Sequence, residues 1–202
     1  MTLDEGKAAV ELARDALEAH VNGTRPSLAK RAPTIFNEKR GVFVTLNMEA
    51  SGSRMLRGCI GYSEPIKPLG EAIRDVAAYA SEDPRFPHPV VPDELDRIVV
   101  EVSVLTLPHD LAAPTRRELP SKVRLGIDGL IISKPYTSGI FLPQVATEQG
   151  WDQETYISEA CSKAGLPMDA WLEEGTRVQV FQAEIFAESK PRGEVARVNP
   201  ES

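Results

Sequence analysis

Cys59 stands between two glycines in Leu56-Arg57-Gly58-Cys59-Ile60-Gly61, with Arg57 two positions upstream. A thiolate is the reactive form of cysteine, and a nearby guanidinium favours it. If the hexapeptide is a strand, Arg57, Cys59 and Gly61 share one face, and Leu56, Gly58, Ile60 and Tyr62 share the other. That makes Cys59 and Arg57 the candidate catalytic pair. Glycine inside a strand marks a bulge or the close approach of another group, so Gly58 and Gly61 are candidate ligand contacts. The plainer alternative is that Cys59 is a small buried hydrophobe.

Other chemistry-bearing residues lie downstream. Asp83, Arg85 and His88 fall in a segment, 83–92, with four prolines, which is stiff, extended and non-helical. Such a loop either contributes ligand contacts through Asp83 and Arg85 or rigidly covers a sheet edge with those two paired to each other. His88 has no orienting partner at a readable spacing, which weakens it as a general base. Glu101 and Ser103 share one face of an alternating segment. If that face meets the Arg57–Cys59 face, a guanidinium, a thiol, a carboxylate and a hydroxyl converge; if it meets solvent, they are the polar half of an amphipathic strand. Gln144, just after Pro143, offers an amide to a ligand. Cys161 falls on the apolar stripe of a helix and reads as core. No dinucleotide fingerprint, phosphate-binding loop or nucleophile elbow is present. The three histidines, His20, His88 and His109, are far apart in the sequence, so neither a metal nor a cofactor is expected.

The elements that must position these residues are legible from periodicity. Thr2 and Glu5 fit a capping box opening a helix with Ala9, Ala13, Ala16, Leu17 and Val21 inward, stopping near Asn22-Gly23. Val42 to Leu46 reads as a buried strand that turns through Ser51-Gly52-Ser53 into the hexapeptide. Pro68 opens a helix whose stripe is Leu69, Ala72, Ile73, Val76, Ala77 and Ala80. Ile98 to Thr106 alternates, with Val100, Val102 and Val104 opposite Glu101, Ser103 and Leu105. Asp128-Gly129 signals a hairpin, and 134–139 a second one. Asp152 caps a helix that buries Ile157, Ala160, Cys161 and Ala164 and ends at Gly165, with Trp151 and Tyr156 placed as a staple. Arg177 to Glu188 reads as one long strand, and the polar tail from Ser189 as disordered.

Composition narrows the classes of function. With 202 residues and a net charge of −7, the chain suits one domain and opposes nonspecific nucleic-acid binding. Arg25, Lys30, Arg31, Lys39 and Arg40 are scattered and read as solvated surface. No run is long and apolar enough for a membrane helix, and no signal peptide is apparent. Two cysteines form no framework, so a cytoplasmic, reduced setting is expected.

Five segments together resemble the AMMECR domain, a family named for the Alport syndrome, mental retardation, midface hypoplasia and elliptocytosis chromosomal region. They are Leu56-Arg57-Gly58-Cys59-Ile60-Gly61, Asp83-Pro84-Arg85-Phe86, Glu101-Val102-Ser103-Val104-Leu105, Leu142-Pro143-Gln144-Val145-Ala146 and Lys163-Ala164-Gly165-Leu166. They occur in the family's order over about residues 5 to 188. His88 departs from the proline the family is expected to carry near there. The resemblance implies an α+β fold: a larger lobe of antiparallel sheet with packed helices (about 1–120 and 145–188), a smaller β-meander lobe (about 121–144) and a cleft between them near the hexapeptide. It also implies a possible pathway link to Memo-like and radical-enzyme proteins. It brings no reaction, since fold does not stand in for function. The expected activity is binding or processing of a small anionic ligand through Arg57 and Cys59, with Gly58, Gly61, Asp83, Arg85, Glu101, Ser103 and Gln144 as contacts. The alternative is a non-catalytic protein-interaction or adaptor module.

Overall fold

A computed structural model describes residues 1–25, 32–50 and 52–198. Lys30, Arg31 and Ser51 therefore lie outside the described residues. The elements run α1 (Leu3–Val21), β1 (Val42–Ala50), β2 (Ser53–Tyr62), α2 (Leu69–Ser81), a 3-10 turn (Pro92–Arg97), β3 (Ile98–Leu105), β4 (His109–Asp110), β5 (Gly129–Lys134), β6 (Thr137–Phe141), α3 (Gln144–Gln149), α4 (Gln153–Lys163), β7 (Arg177–Phe181), β8 (Ala183–Glu188) and β9 (Val195–Val198). The fold is α+β. One sheet has the order β2-β1-β3-β8-β9 and the other β4-β7-β5-β6.

The chain divides into two compact units, one holding Met1–Leu105 and the strands from Glu184 onward, the other Thr106–Ala183. In the first, α1 begins with the expected reciprocal cap: the Glu5 amide donates to Thr2 Oγ1 at 3.2 Å and the Thr2 amide to Glu5 Oε2 at 2.7 Å. Ala9, Ala13 and Leu17 of α1 and Leu69, Ile73, Val76 and Ala80 of α2 share a core with Val42, Val44, Leu46, Val100, Val102 and Val104 of the sheet. One sheet face therefore lies beneath the helices, and the alternate residues Phe43, Thr45, Asn47, Glu101 and Ser103 occupy the other face.

The second unit is larger than the meander expected from sequence. Tyr156, Ile157, Ala160 and Cys161 of α4 share a core with Leu130 and Ile132 of β5, so this helix belongs with the β5–β6 hairpin. A Cβ on Gly139 of β6 would meet the Ala164 nitrogen at 2.5 Å. The Asp128-Gly129 hairpin does not form. Asp128 is buried and accepts from the Arg124 amide at 3.0 Å and the Gln182 side chain at 3.1 Å. The tight turn lies at Pro135-Tyr136, where Tyr136 takes φ 71°. The expected long strand breaks at Gln182, whose amide donates to Thr106 Oγ1 at 2.9 Å, and β7 and β8 join different sheets. The tail expectation is corrected as far as Val198, because β9 pairs antiparallel with β8, Val198 opposite Ile185; residues 199–202 lie outside the described residues.

Candidate functional site

β2 is an edge strand of the five-stranded sheet. Its register with β1 sets Cys59 opposite Thr45, and β1's register with β3 sets Thr45 opposite Glu101. The same face carries a parallel row of Gly61, Phe43 and Ser103. Cys59, Glu101 and Ser103 are thus brought onto one face, with Thr45 between the first two. Thr45 Oγ1 donates to Cys59 Sγ at 3.3 Å.

Arg57 leaves this row. Leu46 pairs with Gly58 and Asn47 with Leu56, so Arg57 is the extra residue of a β-bulge, a device that re-aims a side chain. The bulge also moves Leu56 to the Thr45 face, against the simple alternation expected. Arg57 is 7% exposed and clasps Glu94 with Nε at 2.9 Å and Nη2 at 3.0 Å. It also donates to the His88 carbonyl at 3.1 Å and lies 5.5 Å from the Phe86 ring centre. Burial alone would raise the Glu94 carboxyl, but Arg57 and the Val91 amide hold it below its ordinary value. The Arg57 guanidinium is therefore buried and paired bidentately, and the bulge carries it out of the row that holds Cys59. His88 offers its carbonyl to Arg57 Nη2, and its ring Nδ1 lies 3.3 Å from the same nitrogen.

The guanidinium beside Cys59 is that of Arg85. Cys59 turns its amide and carbonyl away from β1, as a non-hydrogen-bonded pair does. The amide donates to Asp83 Oδ2 at 2.9 Å, and the carbonyl accepts from Arg85 Nη2 at 3.0 Å. Asp83 is 3% exposed and also accepts from the Arg85 amide and Nε, both at 3.0 Å. The Arg85 hydrogen bond, helped by the Cys59 and Arg85 amides, holds Asp83 far below the carboxylate range despite burial. An Asp–Arg pair thus occupies the place a further strand would take, and the sheet-edge reading of this segment holds. Asp83 is spent on that task. Arg85, with its side chain 57% exposed, still faces solvent. Its pKa is raised chiefly by Asp83 and additionally by the Cys59 side chain.

The glycines are explained without a ligand. A Cβ on Gly58 would meet the Ala80 carbonyl at 2.0 Å, and one on Gly61 would meet the Phe43 ring at 2.3 Å. The close approach predicted at these positions is made by the last turn of α2 and by a neighbouring aromatic ring. Glu101 is partly buried, and burial raises its pKa against the opposing pull of Arg54. When protonated, its carboxyl donates a hydrogen bond. Gln144 belongs to the second unit, where it is exposed and opens α3. Cys161 is core, its thiol pushed up by burial. Among the described residues no group of three or more His, Cys, Asp or Glu could hold a metal ion.

Sequence reasoning missed Thr45, Asn47 and Arg54, which shares the face through its pairing with Glu49. The signal was present in β1, where Val42, Val44, Leu46 and Met48 alternate with Phe43, Thr45, Asn47 and Glu49. Reading only Val42–Leu46 as a buried strand hid that polar side.

The AMMECR1 family model matches residues 10–186, and the chain belongs to that family. It is 47% identical to Protein MJ0810 of Methanocaldococcus jannaschii over 96% of both chains. It is 48% identical to a protein of Methanothermobacter thermautotrophicus, covering 93% of this chain and 96% of that one. A crystal structure of Uncharacterized Protein PH0010 from Pyrococcus horikoshii superposes with a TM-score of 0.76 at 48% identity, over 96% of this chain and 97% of that one. These names assign no activity.

Proposed function

We propose that the sheet face carrying Cys59, Thr45 and Glu101 binds a small anionic ligand, with Arg85 as its charged contact and Ser103 and Asn47 at its border. The observation behind this reading is the cross-strand row itself: a thiol, a hydroxyl and a desolvated carboxyl lie side by side, with a half-solvated guanidinium on the Cys59 carbonyl. A core has no use for this combination, and three of these groups donate hydrogen bonds when Glu101 is protonated, which suits an anionic oxygen. The reading transfers the anion-binding role from Arg57 to Arg85. A reduced compartment such as the cytoplasm suits it, because the face carries an unpaired thiol. The test is a melting-temperature screen against small carboxylates and phosphates. A ligand of this site raises the melting temperature of wild type and of Cys59→Ala but not of Arg85→Gln. A panel without any stabilising anion, or a shift that survives Arg85→Gln, overturns the reading.

A further inference from the structure

We propose that a groove along α1 binds a linear aliphatic polyamine. The inference goes beyond the sheet-face reading and shares no residue with the Cys59 row. A cavity of about 550 Å³ lies between α1 and the turn joining β8 to β9, within the size of small-molecule sites, roughly 300–1,000 Å³. Five carboxylates and three basic side chains line it, a surplus of two negative charges. At its floor Arg14 and Glu188 are 7% and 3% exposed. Arg14 Nε donates to Glu188 Oε1 at 3.0 Å, and the Val100 amide donates to Glu188 Oε2 at 2.9 Å. That pair leaves the floor electrically neutral. At the rim Arg192 donates to Glu18 Oε1 at 2.8 Å and also to Asp96, so its charge is matched as well.

Three lining carboxylates remain unmatched. Glu11, Asp15 and Glu194 are exposed, and among the described residues none of them enters an ion pair. Glu11 and Asp15 stand four residues apart on α1, so they share one face and repel each other. Glu194 belongs to the opposite wall. Among the described residues no three of His, Cys, Asp or Glu could hold one metal ion, so these carboxylates do not converge on a point. Separated anions match a cation whose charges are separated. Val10 of α1 and Val195 of β9 also line the cavity and offer a methylene chain an apolar surface. Ammonium groups along such a chain reach the α1 pair and Glu194 and give each a charge-assisted hydrogen bond. Lys7, one turn before Glu11, lines the same wall and bounds the acidic stretch at that end.

The test is calorimetry of the full chain at low ionic strength, with spermidine, putrescine, butylamine and magnesium chloride as probes. Spermidine is expected to bind at a single site, about threefold tighter than putrescine, the step that one further exposed ion pair gives. Butylamine and magnesium should bind about tenfold more weakly than spermidine. The double variant Glu11→Gln/Asp15→Asn should weaken spermidine about tenfold and Glu194→Gln about threefold, while Lys7→Gln tightens it about threefold. Glu148→Gln, at an exposed position of α3 outside the cavity, should leave it unchanged. Magnesium binding as tightly as spermidine, or a loss in Glu148→Gln equal to that in the double variant, means general screening of an acidic chain and overturns the inference. Spermidine that does not bind wild type, or whose affinity survives the double variant, overturns it equally.

Discussion

Replacing Asp83 with asparagine removes the charge from the group that caps the β2 edge. Asp83 is 3% exposed and accepts from the Cys59 amide, the Arg85 amide and the Arg85 guanidinium. Breaking a fully buried ion pair costs about 3–5 kcal/mol. The Arg85 side chain is 57% exposed and stays hydrated after the change, so screening brings the expected loss to about 2 kcal/mol. With a urea slope of about 2 kcal/mol/M, the midpoint of Asp83→Asn should fall by about 1 M. The pH dependence provides a second check. The folded-state pKa of Asp83 lies below its ordinary 3.8, so its contribution is complete above that pH and is lost as pH falls toward the depressed value. The gap between wild type and variant should therefore hold from pH 8 to pH 5, begin to narrow near 3.8 and shrink steadily as pH falls further. Urea midpoints by circular dichroism across that range measure it. A midpoint change under about 0.2 M at neutral pH, or a gap that persists in acid, would refute the edge-cap argument.

Three further outcomes follow from the same contacts. Gly58→Ala drives a methyl against the Ala80 backbone oxygen, 2.0 Å from the new Cβ, and should cost about 3 kcal/mol by denaturation, whereas Gly52→Ala meets nothing within 4 Å and strains only its positive φ. Glu101→Gln should stabilise the fold at neutral pH, because burial penalises the carboxylate that the amide replaces. The raised Glu101 pKa means wild type loses stability as pH rises from 4.5 through the folded value, so the advantage should vanish below pH 4.5. Tyr136→Gly relieves a side chain held at φ 71° and fully exposed, and should gain about 1 kcal/mol in the same assay.

Much of the framework was legible because it is local. The Thr2–Glu5 cap, the α2 stripe and the alternation of β3 each follow from neighbours within a turn or a strand. Pairing decided the rest. Arg57 and Cys59 are two residues apart, yet a bulge separates them, and a bulge is specified by the partner strand β1 rather than by the hexapeptide. Arg85 is distant from Cys59 in sequence, and only the return of the chain along the β2 edge brings them together. Asp128-Gly129 carries a hairpin signature, but Arg124 and Gln182 claim its carboxylate for a buried network. The glycines advertised a close approach correctly, and the sequence does not say that a helix end and a phenylalanine make it.

The central claim, that Arg85 draws a small carboxylate to the Cys59 face, is tested most directly by comparing Cys59 alkylation with iodoacetate and iodoacetamide. The two reagents carry the same electrophilic carbon and differ in charge. The ratio of their rates at Cys59 should exceed the ratio for free cysteine at least tenfold. It should fall to the free-thiol value in Arg85→Gln and hold in Arg57→Lys, since Arg57 is committed to Glu94. A wild-type ratio no higher than that of free cysteine would contradict the account.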